Sequence, residues 1–203
     1  MKRPILAALA VALMATSSQA AEFKWWKINT PDIYGIKITG DIDIGDKDKF
    51  ADTLKDLLQK NSVKPTNMQL TVHLNSNGGS VADAIDIGST IQKYHFNTFV
   101  NKEVNCASSC ALIWIAGNRR YVHAAGHIGF HEAFGRDTKK TSSSGNAVVG
   151  AYLGSLGFPY RTIAYLTSAP WDKMEWLSAA KAKELGIAAL TCDDHRCSYP
   201  YSE

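Results

Sequence analysis

Past its first fourteen residues the chain has no long apolar run. No later stretch approaches about 18 consecutive apolar residues, the least a bilayer-crossing helix needs, so the rest of the chain is expected to be soluble. It also lacks an excess of charge of one sign. Lys and Arg number 22 against 19 Asp and Glu, a formal net charge of +3. Two of those cations, Lys2 and Arg3, fall in the leader described below, so the remainder is nearly neutral. Such a surface gives no reason to expect nucleic acid or an anionic membrane as a partner. Cysteine is scarce, and the spacings of Cys106, Cys110, Cys192 and Cys197 match no common zinc pattern. No metal and no cofactor is expected. Internal repeats and low-complexity blocks are absent as well.

What is present begins with a leader. Lys2 and Arg3 form a basic n-region, residues 5–14 an apolar h-region, and residues 15–20 a small, polar stretch. Ser18 and Ala20 then stand at the −3 and −1 positions of a cut before Ala21, the pattern of a secretory signal peptide. Residues 1–20 are therefore expected to be removed and residues 21–203 to form a single domain. Cleavage would leave no membrane-inserted segment and would place the protein in the periplasm or outside the cell. All four cysteines lie in the exported part, and an even count in an oxidising compartment suggests disulfides. Cys192 and Cys197 close a short polar loop and are a natural pair. Cys106 and Cys110 flank Ser108. They could bridge across that turn, staple it to the C-terminal loop, or remain buried thiols.

Periodicity predicts strands over 33–38, 68–74, 97–104, 121–124 and 127–131. It predicts helices over 47–59, 81–94 and 108–116, the last apolar throughout and so buried. The Gly/Ser/Lys-rich stretch 135–146 reads as a mobile loop. Residues 147–167 read as helix broken near Gly157-Phe158-Pro159, and 176–185 as a closing helix with Ser178 as a cap and Gly186 at its end. Strands alternating with helices imply an α/β domain with a largely parallel sheet, whose strand-end loops converge on one edge.

Two such loops carry chemistry. Asn75-Ser76-Asn77-Gly78-Gly79-Ser80 follows an apolar strand, and Cys106-Ala107-Ser108-Ser109-Cys110-Ala111 opens a helix. A serine hydroxyl attacks a carbonyl only with a base to take its proton and fixed N–H donors for the developing oxyanion. Ser108 supplies the hydroxyl. Gly79 and Ser109 supply N–H groups, and His131 supplies a base. Taken singly, Ser108 reads as a helix cap and Gly78 and Gly79 as an ordinary turn. Their joint occurrence with His131 favours catalysis. His127 shares a strand face with His131 and is the second-choice base. His73 and His95 read as structural.

These segments, with Ala116-Gly117 and Gly129-Phe130-His131, resemble the Clp protease proteolytic subunit. The Cys-Ala-Ser-Ser-Cys run is similar to the nucleophile motif of its exported, periplasmic relatives. The C-terminal Trp176-Leu177-Ser178-Ala179-Ala180-Lys181-Ala182 resembles the family's closing helix, and the likeness spans roughly residues 33–190. The resemblance implies a spiral of ββα units related to the crotonase fold. It also implies a Ser108 nucleophile, a His131 base and an oxyanion hole from Gly79 and Ser109.

For the third triad member, the family's register from Leu177 falls on Pro170, and Asp172, two residues on, becomes the candidate. Asp172 reads equally as a surface charge. The stretch between His131 and Leu177 is shorter than in the family, which speaks against a double-ring barrel, though a homo-oligomer fits. An exported chain would not meet a cytosolic ATP-driven unfoldase, so the expected activity is ATP-independent cleavage of peptides or unfolded chains. Three alternatives remain: a catalytically weak peptide-binding or assembly protein, a crotonase-type acyl-thioester enzyme, and a Ser/Lys dyad using Lys102 or Lys173.

Overall fold

The computed structural model describes residues 19–28 and 32–198. Apart from Gln19 and Ala20, the leader read over residues 1–20 lies outside the described residues. The chain folds as a mixed α/β domain with a largely parallel central sheet.

That sheet has seven strands in the order β1-β2-β3-β4-β6-β11-β12. β2 (Ile33–Thr39), β3 (Gln69–Asn75), β4 (Asn97–Val100), β6 (Arg120–His123) and β11 (Leu190–Cys192) run parallel. β1 (Glu22–Lys27) and β12 (Cys197–Ser198) close the two edges antiparallel. A second, three-stranded sheet holds β5 (Asn105–Ala107), β7 (His127–Phe130) and β10 (Glu175–Trp176). The chain passes from β4 to β5, and again from β6 to β7, by stepping from the first sheet to the second. The strand expected over 97–104 ends at Val100; a turn that includes Glu103 at φ 58° follows, and β5 begins at Asn105 in the other sheet.

The elements follow from their residues. In β3, Leu70, Val72 and Leu74 alternate inward and are almost wholly buried. α1 (Asp46–Asn61) buries Phe50, Leu54 and Leu57 along one stripe. α2 (Val81–Lys93) buries Ala84, Ile87 and Ile91. α3 (Ser109–Ile115) is apolar on every side and buried on every side, as its composition demands. Its Trp114 is fully buried and satisfies its ring N–H on the Tyr121 carbonyl at 3.0 Å.

The second half of the chain departs from the expectation in two places. The stretch 135–146 is not one irregular loop. β8 (Phe134–Gly135) and β9 (Lys140–Thr141) pair as a short hairpin, and α4 (Ser143–Ser155) starts directly after it, capped by Ser142 accepting from the Gly145 N–H at 3.1 Å. The closing helix α6 (Ala179–Glu184) starts later than expected, because Trp176 pairs with Gly129 as part of β10. Ser178 does cap α6, accepting from the Lys181 N–H. The break between α4 and α5 (Tyr160–Leu166) falls at Gly157-Phe158-Pro159 as the sequence indicates.

Candidate active site

The turn after β3 is built to bring backbone against backbone. Gly78 has φ 101°, and a Cβ placed there would lie 2.7 Å from the Ser108 Cβ and 2.8 Å from the Ala107 carbonyl oxygen. Gly79 has φ 141°, and its Cβ would lie 2.0 Å from the Ile42 carbonyl oxygen. The flanking groups lock this turn: Ile42 N–H donates to Gly78 O at 2.8 Å and Ser80 N–H to Ile42 O at 2.7 Å. Between those bonds the Gly79 N–H is left with no acceptor among the described residues.

Ser80 caps α2 and donates its hydroxyl to Asp83 at 2.5 Å. The other carboxylate oxygen of Asp83, a buried residue, accepts from the Gly45 and Lys47 N–H groups at 2.9 and 3.3 Å. Burial pushes the Asp83 carboxyl up, yet the Ser80 hydroxyl and the two N–H donors outweigh it and hold the group below the usual carboxylate range. Asp83 thereby ties the start of α1 to the Gly-Gly turn, a role the sequence alone did not reveal.

Ser108 sits between β5 and α3 at φ 57°, ψ −126°. A non-glycine residue in that region costs about 1–3 kcal/mol and persists only where its surroundings impose it. Here they do. Ser108 N–H donates to Gly129 O at 2.8 Å, and the Ser108 carbonyl accepts from Ala111 N–H at 2.9 Å. A disulfide joins Cys106 to Cys110 across the residue, one of the pairings open from sequence. Cys192 and Cys197 form the other. The Ser108 side chain does not cap α3. Its hydroxyl has no partner among the described residues, so the helix-cap reading does not account for it. The neighbouring Ser109 N–H likewise has no acceptor there.

His131 follows β7. Its Nδ1 lies 2.6 Å from the carbonyl oxygen of Glu132. A carbonyl only accepts, so Nδ1 carries a proton, and in the neutral ring Nε2 then keeps a free lone pair. The ring leans on Phe134, which leans on Trp171, with centroids 5.5 and 5.4 Å apart. Gly79, Ser108, Ser109 and His131 all line one small cleft of about 40 Å³, walled by apolar side chains that include Leu112, Phe130, Val149 and Leu166. A larger groove of about 620 Å³ adjoins it, sharing Gly79, Val81, Ala133 and Phe134.

The other candidates lie elsewhere. Asp172 is exposed and has no hydrogen bond or ion pair among the described residues; His131 is held by a backbone carbonyl instead. His127 faces Trp176 and lines a separate cavity of about 320 Å³ with Trp114 and His123. Lys102 pairs with Asp194 at 3.2 Å, and neither Lys102 nor Lys173 lines the Ser108 cleft. Glu132 is a cleft residue that sequence reasoning missed. Its carboxylate accepts from Thr141 Oγ1 at 2.7 Å and Trp171 N–H at 3.2 Å, joining β9 and Trp171 to the residue next to the base. Among the described residues no cluster of three or more His, Cys, Asp or Glu side chains is arranged to hold a metal ion.

No protein-family model and no curated protein sequence matches this chain. Solved structures do. ClpP1 from Listeria monocytogenes superposes with a TM-score of 0.59 at 20% identity, over 79% of this chain and 92% of that one. A point mutant of the same protein gives 0.60 over the same shares. A mutant of the 1510-N membrane-bound stomatin-specific protease gives 0.56 at 15% identity, over 80% and 79% of the two chains. At such identities the likeness establishes the fold, and the site's chemistry rests on its own geometry.

Proposed function

We propose that the chain is an exported serine peptidase that cleaves peptides or unfolded segments through an acyl-enzyme, without ATP. One observation carries the reading. A serine held in a strained backbone conformation, with its hydroxyl unspent, shares a cleft with two unpaired N–H groups and a histidine whose Nε2 is free. Each feature has a cost or a consequence for folding, and acyl transfer uses all of them. The proteases of the same fold agree with a peptidase reading. The leader pattern and the two disulfides support export.

In this scheme Ser108 Oγ attacks the scissile carbonyl carbon while His131 Nε2 takes the hydroxyl proton. The carbonyl oxygen, now negative, receives the Gly79 and Ser109 N–H groups. Collapse of the tetrahedral intermediate breaks the C–N bond, and the leaving amine takes the proton back from His131. Water then attacks the ester with His131 as base, freeing the acid and restoring Ser108. The adjoining groove, about 620 Å³ and lined by Ile42 and Ile44, would take the flanking peptide. Homo-oligomerisation fits this reading, and no cytosolic ATPase, nucleic acid, metal or cofactor enters it. Asp172 has no part in it, because no contact joins that side chain to His131.

Labelling of the mature protein with a fluorophosphonate, mapped by mass, tests the proposal. A stoichiometric adduct on Ser108 is expected, absent from Ser108→Ala and His131→Ala. The free Ser108 hydroxyl also supports a second reading, a peptide-binding protein with a dormant site. Absence of any adduct on the folded protein selects that reading instead.

A further inference from the structure

We infer that Asn146 is the residue that positions the catalytic base, acting through the peptide unit between Glu132 and Ala133. The inference rests on the serine-peptidase reading for its consequence, but its geometry stands apart from it. The carbonyl of that peptide unit accepts the His131 Nδ1–H at 2.6 Å. Its N–H, on Ala133, donates to the Asn146 side-chain oxygen at 2.6 Å. The donor identifies the carboxamide atom: an N–H needs an acceptor, so oxygen faces it. One rigid amide plane is therefore gripped on one side by Asn146 and presents its oxygen to His131 on the other.

The surroundings hold this plane on every side. Asn146 stands in the first turn of α4, and its own N–H donates to Ser142 O at 2.9 Å. The Ser142 N–H in turn donates to Ala133 O at 2.8 Å. Both backbone groups of Ala133 are thus spent on the start of α4. On the preceding residue, Glu132 N–H donates to Ala169 O at 2.9 Å, and the carboxylate takes the Trp171 N–H.

The chemistry follows from the order of the chain of bonds. When His131 Nε2 takes the Ser108 proton the ring becomes positive, and Nδ1–H becomes a stronger donor. An amide whose N–H is already engaged is polarised, so its oxygen is the better acceptor. Asn146 therefore does, at one remove, what a carboxylate does directly elsewhere: it fixes the ring's tautomer and orientation and steadies the imidazolium. Asn146 itself does not line the cleft, so its role is to position the base.

Two substitutions in the full mature chain test this. Asn146→Leu keeps the bulk and removes the acceptor; Asn146→Asp keeps an acceptor oxygen. The readouts are the fluorophosphonate labelling rate of Ser108 and the ¹⁵N NMR tautomer pattern of His131. We expect wild type to show protonated Nδ1 and bare Nε2. Asn146→Leu should lose that pattern and label about 100-fold more slowly. Asn146→Asp should restore both, whereas a residue serving only to start α4 would leave the tautomer unmoved. A wild-type tautomer pattern in Asn146→Leu, or failure of Asp to restore it, overturns the inference. So does a pattern that responds to Asp172→Asn and not to Asn146→Leu. The tautomer does not require a reactive serine, so an unlabelled wild type with these NMR results would remove the peptidase reading and leave the relay intact.

Discussion

At Ser108 and Gly79 the chain spends local stability on geometry, and the two residues differ in how legible that was. The types were readable, since a serine, a histidine and a double glycine at strand ends are what acyl transfer needs. The group that holds His131 was not readable, because a backbone carbonyl has no residue type. The acid nearest the family's register is Asp172, and Asn146 lies in a stretch that reads as polar loop. The glycines supply the test at this scale. Gly79→Ala would drive a Cβ to 2.0 Å from the Ile42 oxygen, whereas Gly157, at φ 87°, has nothing within 4 Å of the same atom. Both substitutions pay the left-handed backbone cost, but only Gly79→Ala adds a collision and displaces an oxyanion donor. Urea denaturation should show a loss of about 1 kcal/mol for Gly157→Ala and roughly 2–4 kcal/mol for Gly79→Ala. Fluorophosphonate labelling should survive in the first and vanish in the second. Equal losses in the two would show that the close approach at Gly79 is not enforced.

Among the elements, the long periodic ones were legible and the short ones were not. β3 shows its alternation over seven residues, whereas β8, β9 and β10 are two residues each and too short to display any period. β1 is a single-partnered edge strand in which Trp25 and Trp26 interrupt the alternation. Its Trp26 opens an aromatic row across the outer face of the sheet, with centroids 4.9 Å from His73, then 5.3 Å on to Phe99 and 6.3 Å on to Tyr121. Placing a histidine in that row has a cost in acid. Burial, helped by the charge of Lys37 and opposed by the hydrogen bond to Asn101, pushes His73 down from 6.5 to about 4. The folded state therefore favours neutral His73, while the unfolded chain takes up a proton near its ordinary value. The stabilisation is present above about pH 6.5 and is lost as pH falls through about 4, on the order of 3 kcal/mol. Wild type should lose stability between pH 7 and 4.5 more steeply than His73→Gln in paired urea titrations. Parallel pH profiles would mean that the row opens before the histidine is charged.

For the whole molecule, alternating strands and helices correctly implied an α/β fold with a largely parallel sheet, but the division of its strands between two sheets was not visible. It could not be, because β4 and β5 are consecutive and only the hydrogen-bond partners of each tell them apart. β5 lies between the end of β3, bridged Ser76 to Cys106, and β7, so the segment leading into Ser108 is wrapped by the fold before α3 seals it. The two disulfides consequently differ in access. Cys106 and Cys110 are fully buried among α3, β5 and β7, whereas Cys197 is exposed beside a nearly buried Cys192. Exchange requires a thiolate to reach a sulfur in line, and only opening of the whole core offers that at Cys106–Cys110. Under native conditions, dithiothreitol followed by alkylation and mass mapping should modify Cys192 and Cys197 alone. Ser108 labelling should persist throughout. All four thiols should appear only in denaturant. Loss of the Cys106–Cys110 bridge at the same native rate as its partner would mean that the nucleophile turn opens locally. In that case the strained Ser108 backbone would be held by the disulfide and not by the surrounding fold.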